Sequence, residues 1–286
     1  MSGGPDLLDV TLCCIDCAQP ALAVRALGLS AAQARFGAVL LLTDADLVAP
    51  GLTVRRIGRL RDGTAYSHFV LKDLAAHVAT PFVLLVQWDG WVLDGARWEE
   101  GFREFDYIGA PWPWHPAWRQ VGNGGFSLRS RRLLEAVAQD GFVPGHPEDE
   151  MIGGVWRAAL EARGIRFADA AAARRFSVER DRDAAPSFGF HGVFNFWRAV
   201  PAAELEGLLA AVPAGGLLPD HGAQLLMAYA ARGRREEAAV VLRRLEGLAG
   251  AAAVAQRLGR FRGADGRALD VAALRRSLLG DQGRRQ

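Results

Sequence analysis

Lysine is nearly absent from this chain of 286 residues: Lys72 is the only one, and arginine supplies the remaining side-chain positive charge. Alanine is abundant as well, so the bias reads as genomic base composition. Arginine's fixed fork still suits phosphate wherever one points into a cleft. Strong net charge is missing too. A formal value of +2 leaves no electrostatic footprint for nucleic acid or an anionic membrane. No apolar run approaches the roughly 20 residues that a membrane span needs. The amino terminus lacks the basic start and long apolar core of a signal peptide, because strand-like residues begin at Val10. A cytoplasmic location is the resulting expectation. Cysteine is scarce, with only Cys13, Cys14 and Cys17. The last four residues of that stretch form C-x-x-C, but no second cysteine or histidine pair accompanies them. Small buried residues at a strand end are favoured over a zinc or redox site.

The chain has enough length for one large core, or for a core with an appendage. Its first two hundred residues alternate strand-like and helix-like segments. Residues 10–15, 38–42, 52–57 and 82–86 read as strands, and 20–29 and 66–78 as helices. Apolar runs in the order β-α-β-β-α-β predict a mostly parallel sheet covered on both faces. Short strands follow at 106–110 and 126–128, then a helix over 131–137 capped by Ser130. A further amphipathic helix reaches Leu160. Past Pro201 the aromatics thin out, and 205–212, 222–232 and 236–248 read as helices. The stretch "AQLLMAYAARGRREEAAVVLRRL" resembles a tetratricopeptide-type hairpin. One such unit cannot bury its own apolar face, so it is expected to pack on the preceding domain, on a partner or on a second copy. The division expected is 1–200 and 201–286, with a polar, frayed tail after Gly280.

Ligands of such sheets collect beyond the carboxyl ends of the strands. Asp16, Asp44 and Asp89 each follow a predicted strand, which marks out a polar cleft. Asp89 lies in "FVLLVQWDGWVLDG" between Trp88 and Trp91. It suits either a turn, accepting backbone N–H bonds, or a divalent cation shared with a diphosphate. The tryptophans suit either core or cleft wall. In "VGNGGFSLRS" a glycine-rich turn offers positive φ and close backbone approach, without the phosphate-loop or dinucleotide pattern. Arg129 after it faces either solvent or phosphate. "PEDE" places Glu148, Asp149 and Glu150 at a helix start, where they complement the dipole or supply a general base. His191 between glycines in "FGFHG" suits a metal ligand or a donor to phosphate.

In this order "VTLCCIDC", "YSHFVLKDL", "LLVQWDGWVL", "DYIGAPWPW", "VGNGGFSLRSRRLLEAV", "PEDE", "RFSVE" and "FGFHG" resemble the bacterial domain-of-unknown-function family 5672 over residues 10–198. That family looks related to GT-A glycosyltransferases, nucleotide-sugar enzymes with a Rossmann-type sheet. The resemblance implies an α/β fold, a mixed and mostly parallel sheet flanked by helices, with a helical C-terminal extension. It sets the D-x-D metal motif on Gln87-Trp88-Asp89, where the first acid is missing. Asp89 and His191 would hold a divalent cation, manganese or magnesium. Asn123, Gly124 and Gly125 would face the donor sugar. Cys14, Asp16 and Asp44 would lie near the nucleoside, with Lys72, Gln87 and Trp88 also on the donor side. Glu148-Asp149 matches the acidic pair of inverting members, Asp149 being the base. The function implied is transfer of a hexosyl or N-acetylhexosaminyl group from a uridine-linked nucleotide sugar to a glycan or other hydroxyl acceptor. Inversion is the simpler outcome and retention stays open. Two rivals remain: a nucleotidyltransferase, and a noncatalytic carbohydrate-binding or scaffold protein.

Overall fold

The computed structural model describes residues 4–181, 185–218, 220–262 and 268–280. The expected tail after Gly280 lies outside the described residues. The chain divides into two compact units, residues 1–191 and 192–286.

The first unit is built on a six-stranded sheet. Its strands begin with β1 (Asp6–Ile15), β2 (Arg35–Thr43), β3 (Thr53–Arg56) and β4 (Phe82–Val86). Then come β5 (Gly90–Val92), β6 (Tyr107–Ile108), β7 (Ala110–Pro111), β8 (Val121–Gly122) and β9 (Phe126–Ser130). The order across the sheet is β3-β2-β1-β4-β9-β6. β3, β2, β1 and β4 are parallel, and β9 runs antiparallel to both β4 and β6. The architecture is the expected mixed, mostly parallel sheet flanked by helices.

Alternation along the central strand explains why both faces are covered. Leu12 and Cys14 enter one core with Leu41, Leu84 and Leu128, while Cys13 and Ile15 enter another with Leu42, Val83 and Leu85. α1 (Pro20–Ala31) starts with Pro20 in its first turn and places Ala23 and Leu27 in the first core. α2 (Gly63–Lys72) starts at Asp62, whose side chain accepts the Ala65 N–H at 2.8 Å, and places Phe69 and Val70 in the second. The helix expected over 66–78 is thus two pieces. After Asp73 the chain tightens into a 3₁₀ turn, Leu74–His77, and Leu74 and Val78 reach the same core as Phe69.

The later half of the unit is assembled from short pieces. α3 (Arg131–Ala138) is capped by Ser130, whose Oγ accepts the Leu133 N–H. α4 (Glu148–Glu150) runs into a π-helical turn, Met151–Val155, before α5 (Arg157–Ala162) and α6 (Ala170–Phe176). β10 (Ser177–Val178), β11 (Gly189–His191) and β5 form a second sheet of three strands, in the order β10-β11-β5.

The second unit is helical: α7 (Ala202–Ala211), α8 (Ala214–Leu217), α9 (His221–Ala230), α10 (Arg235–Ala249), α11 (Ala251–Leu258) and α12 (Val271–Leu279). Gly233, at φ +70°, turns the chain between α9 and α10. α9 packs on α10 and on the 3₁₀ turn Val193–Arg198, and α10 on α7; Leu225, Leu226, Leu242 and Leu245 are buried. No described helix is long and apolar enough to cross a membrane.

Candidate active site

Asp16, Asp44 and Asp89 lie where strand-end carboxylates were expected, but their settings differ. Asp16 Oδ1 accepts the Ala18 and Gln19 N–H groups at 2.7 and 2.6 Å, tying down the turn into α1. Burial raises its pKa, opposed by those two bonds. Asp44 is 3.9 Å from the exposed Arg59 guanidinium. Asp89 is buried, with Oδ1 3.3 Å from His191 Nε2. Beside Asp16 a cleft of about 310 Å³ is lined by Cys17, Arg61, Tyr66, Gln87 and Trp88 among others. Trp91 belongs to the core, edge-on to Phe190 at 4.6 Å.

Gln87, in the place of the missing acid, is held from both ends. Its Nε2 donates to Tyr66 Oη at 3.3 Å, and its Oε1 is 3.1 Å from His191 Nε2. His191 Nδ1 is 3.5 Å from Glu179 Oε1 on the other side of the ring. Burial by itself would lower the His191 pKa. Asp89 and Glu179 outweigh it and lift the value to about 10.

Of the two uses expected of the glycine turn, close approach is the one its glycines serve. Among residues 122–125 only Asn123 takes positive φ, at 70°, and its Oδ1 accepts the Gly125 N–H at 2.9 Å. The glycines are there for close approach. A Cβ on Gly124 would lie 1.9 Å from Glu148 Oε1, and one on Gly125 would lie 2.2 Å from His191 Nε2. Gly124 N–H also donates to Asp149 Oδ2 at 2.9 Å. One turn therefore carries the acidic pair on one residue and the histidine on the next. Asn123 Nδ2 is buried without a hydrogen-bond partner among the described residues.

The adjacent acids are not equivalent. Glu148 accepts from Arg129 Nη2 at 3.0 Å in an ion pair almost closed to solvent. Arg129 faces neither solvent nor a phosphate cleft. It is fully buried beside Ser127, whose Oγ accepts its Nε–H at 3.0 Å, and its guanidinium lies over the Tyr107 ring. Among the described residues no cation forms an ion pair with Asp149, and Arg129 acts on it only from a distance. Asp149 Oδ1 accepts the Glu150 N–H, and burial, with repulsion from Glu148, pushes its pKa up to about 6.

Two expected donor-side residues are placed elsewhere. Cys14 points into the first core, fully buried, and burial drives its thiol pKa well above the usual range. Lys72 Nζ donates to Val137 O and Gln139 O at 2.9 and 3.0 Å, closing the C-terminal end of α3. Tyr66 and Glu179 were missed, and Arg129 was read as facing solvent or phosphate. The alternation Phe126-Ser127-Leu128-Arg129 has the pattern of a half-exposed strand. Glu179 sat unread in "RFSVE".

Among the described residues no three histidine, cysteine, aspartate or glutamate side chains are arranged to hold a metal ion. The donors that do meet are Asp89 Oδ1, His191 Nε2 and the amide oxygen of Gln87. One carboxylate, one imidazole and one amide fit a cation that takes its other ligands from phosphate and water.

No curated protein matches the sequence. Among solved structures, a mannosyltransferase, PcManGT from Pyrobaculum calidifontis in complex with GDP-Man and Mn2+, is similar at 13% identity and TM-score 0.40. That match covers 93% of this chain and 78% of the other. An active-site mutant of LgtC is similar at 12% identity and TM-score 0.43, over 73% of this chain and 98% of that one. Residues 54–191 match the model of a family described as "Protein of unknown function (DUF5672)". Over those residues the chain is similar to that family.

Proposed function

We propose that the first unit is a glycosyltransferase acting on a nucleoside-diphosphate sugar, uridine-linked, and a hydroxyl acceptor. One observation carries this reading: the Gly124-Gly125 turn sets the half-buried Asp149 and the Asp89–His191 pair on consecutive residues. A base and a diphosphate site must be neighbours for transfer at the sugar carbon between them. The strand-end cleft beside Asp16, Gln87 and Trp88 is the place for the donor. Asn123 Nδ2 is a buried amide donor that a sugar hydroxyl would satisfy.

In the reaction Asp149 takes the proton of the acceptor hydroxyl as its oxygen bonds to the sugar carbon. The bond from that carbon to the diphosphate breaks on the opposite side, with inversion. A pKa near 6 leaves Asp149 mostly ionised at neutral pH yet basic enough to accept the proton. Glu148, neutralised by Arg129, holds the turn and leaves the proton to its neighbour. Asp89, His191 and Gln87 would hold the divalent cation, which when bound neutralises the charge on the departing diphosphate.

The test is release of nucleoside diphosphate from a panel of sugar nucleotides, with and without manganese. The expected result is release from at least one donor, and Asp149→Asn lowering it about 10²–10⁴-fold with donor binding kept. No release and no thermal shift with any donor would end the proposal. Gln87, tied to Tyr66 and His191, is the feature that favours a noncatalytic sugar-binding protein. Donor binding without turnover would decide for that reading.

A further inference from the structure

β10 and β11 are parallel, with Ser177 opposite Gly189 and Val178 opposite Phe190. The next step along this register brings Glu179 beside His191. On its other edge β11 is antiparallel to β5, with His191 opposite Gly90, one residue from Asp89. The small sheet thus lines up a carboxylate, an imidazole and a carboxylate from three separate segments. The distances follow: Glu179 Oε1 is 3.5 Å from Nδ1, and Asp89 Oδ1 is 3.3 Å from Nε2. All three side chains are mostly closed to solvent, at 13%, 17% and 12% exposure for Glu179, His191 and Asp89. Arg180 Nε, 3.9 Å from the same Glu179 oxygen, is a more exposed neighbour.

An imidazole has two nitrogens on opposite edges, and the partner of one decides what the other presents. Here the two edges have different surroundings. Nε2 faces Gln87 and Asp89, the donor set described above, and Nδ1 faces Glu179. The ring also lies close against Gly125, which restricts its tilt. Turning it over would cost both carboxylate contacts at once.

We propose that Glu179 is the positioning residue of the site. At 3.5 Å from Nδ1 and just outside hydrogen-bond geometry in this structure, its carboxylate is placed to take the Nδ1–H of His191 and so to keep Nε2 aimed at Gln87 and Asp89. Carboxylates behind a metal-binding imidazole act in this way in general, fixing tautomer and orientation. Its use in catalysis rests on the metal-assisted reading above; the orientation of the ring does not.

Two measurements on the full chain test it. The first is the ring-nitrogen spectrum of the histidine-labelled, metal-free protein, with His191 assigned by its loss in His191→Gln. The wild type should show a protected Nδ1–H. Glu179→Ala should lose it, and Glu179→Gln, whose amide oxygen still accepts, should keep it. Glu179→Met, of similar length and without an acceptor, replaces the alanine variant if that one does not fold. The second is Mn2+ titration followed by electron paramagnetic resonance. Glu179→Ala should weaken binding about 10–100-fold, Glu179→Gln less. An unchanged Nδ1–H in the alanine or methionine variant overturns the proposal. So does unchanged Mn2+ affinity where His191→Gln weakens it. If the wild type binds no Mn2+, the metal-assisted reading fails, and the ring spectrum alone decides the role of Glu179.

Discussion

The two compact units of this protein bury different things. In the first, Asp89, Asp106, Arg129 and Glu148 are all buried, together with Asn123 and several hydroxyls. In the second, Asn195 and the Tyr229 hydroxyl are the buried polar groups among the described residues, and leucine, valine, alanine and phenylalanine fill the interior. An apolar helical interior is the inexpensive way to be stable, since each buried charge carries a desolvation cost that only a partner offsets. Of these charges Asp106 is held by Arg132 and Ser130 at the start of α3, whereas Asp89, Arg129 and Glu148 gather around the Gly124-Gly125 turn. Packing has no use for a carboxylate there, whereas proton and phosphate chemistry does.

The contrast predicts how each unit responds to damage. The largest effect should come from Arg129→Ala, which leaves Glu148 buried without its cation, at about 3–5 kcal/mol. The double variant Arg129→Met/Glu148→Leu should recover most of that, because it removes both charges. In the helical unit Leu242→Ala should cost about 2–5 kcal/mol for lost contacts and a cavity. Urea unfolding measures all three. A loss below about 1 kcal/mol for Arg129→Ala would remove the contrast.

A subtler effect concerns Asp149. The folded protein holds its proton up to about pH 6, whereas the ordinary value is 3.8. Between those values the native state binds the extra proton, so this group's contribution to stability falls as pH rises. Asp149→Asn should therefore stabilise the protein at pH 8 by up to about 3 kcal/mol, and by almost nothing near pH 4. Melting curves at the two pH values measure the difference, and equal shifts would sink the idea. The smallest effect is structural. Lys72→Met should cost about 1–2 kcal/mol through the open carbonyls at the end of α3. Donor binding should be unchanged, and a loss of it would return Lys72 to the donor side.

Periodicity and strand-end chemistry carried much of the first unit. The runs at 38–42 and 82–86 became β2 and β4 because a strand covered on both faces must be apolar throughout. Asp16 and Asp89 followed their strands in the same way. The glycine turn was legible as a place of close approach, but not what approaches. Nothing local in Gly124 or Gly125 names Glu148 or His191, which arrive from 24 and 66 residues later along the chain. The resemblance alone set Cys14 near the nucleoside, whereas the burial expected of a small residue at a strand end is what the structure has, both faces of β1 being core.

By itself, then, the sequence determined the strands of the large sheet, the longer helices and the candidate acids, since these follow from spacing and side-chain chemistry close by. The tertiary structure alone decided which acid is neutralised. Arg129 meets Glu148 through the antiparallel placement of β9, and Asp149 is left with the raised pKa. It also decided that Glu179 stands behind His191, through the register of two short strands. Electrostatic roles depend on distances of a few ångströms across segments far apart in sequence, and only folding sets those distances.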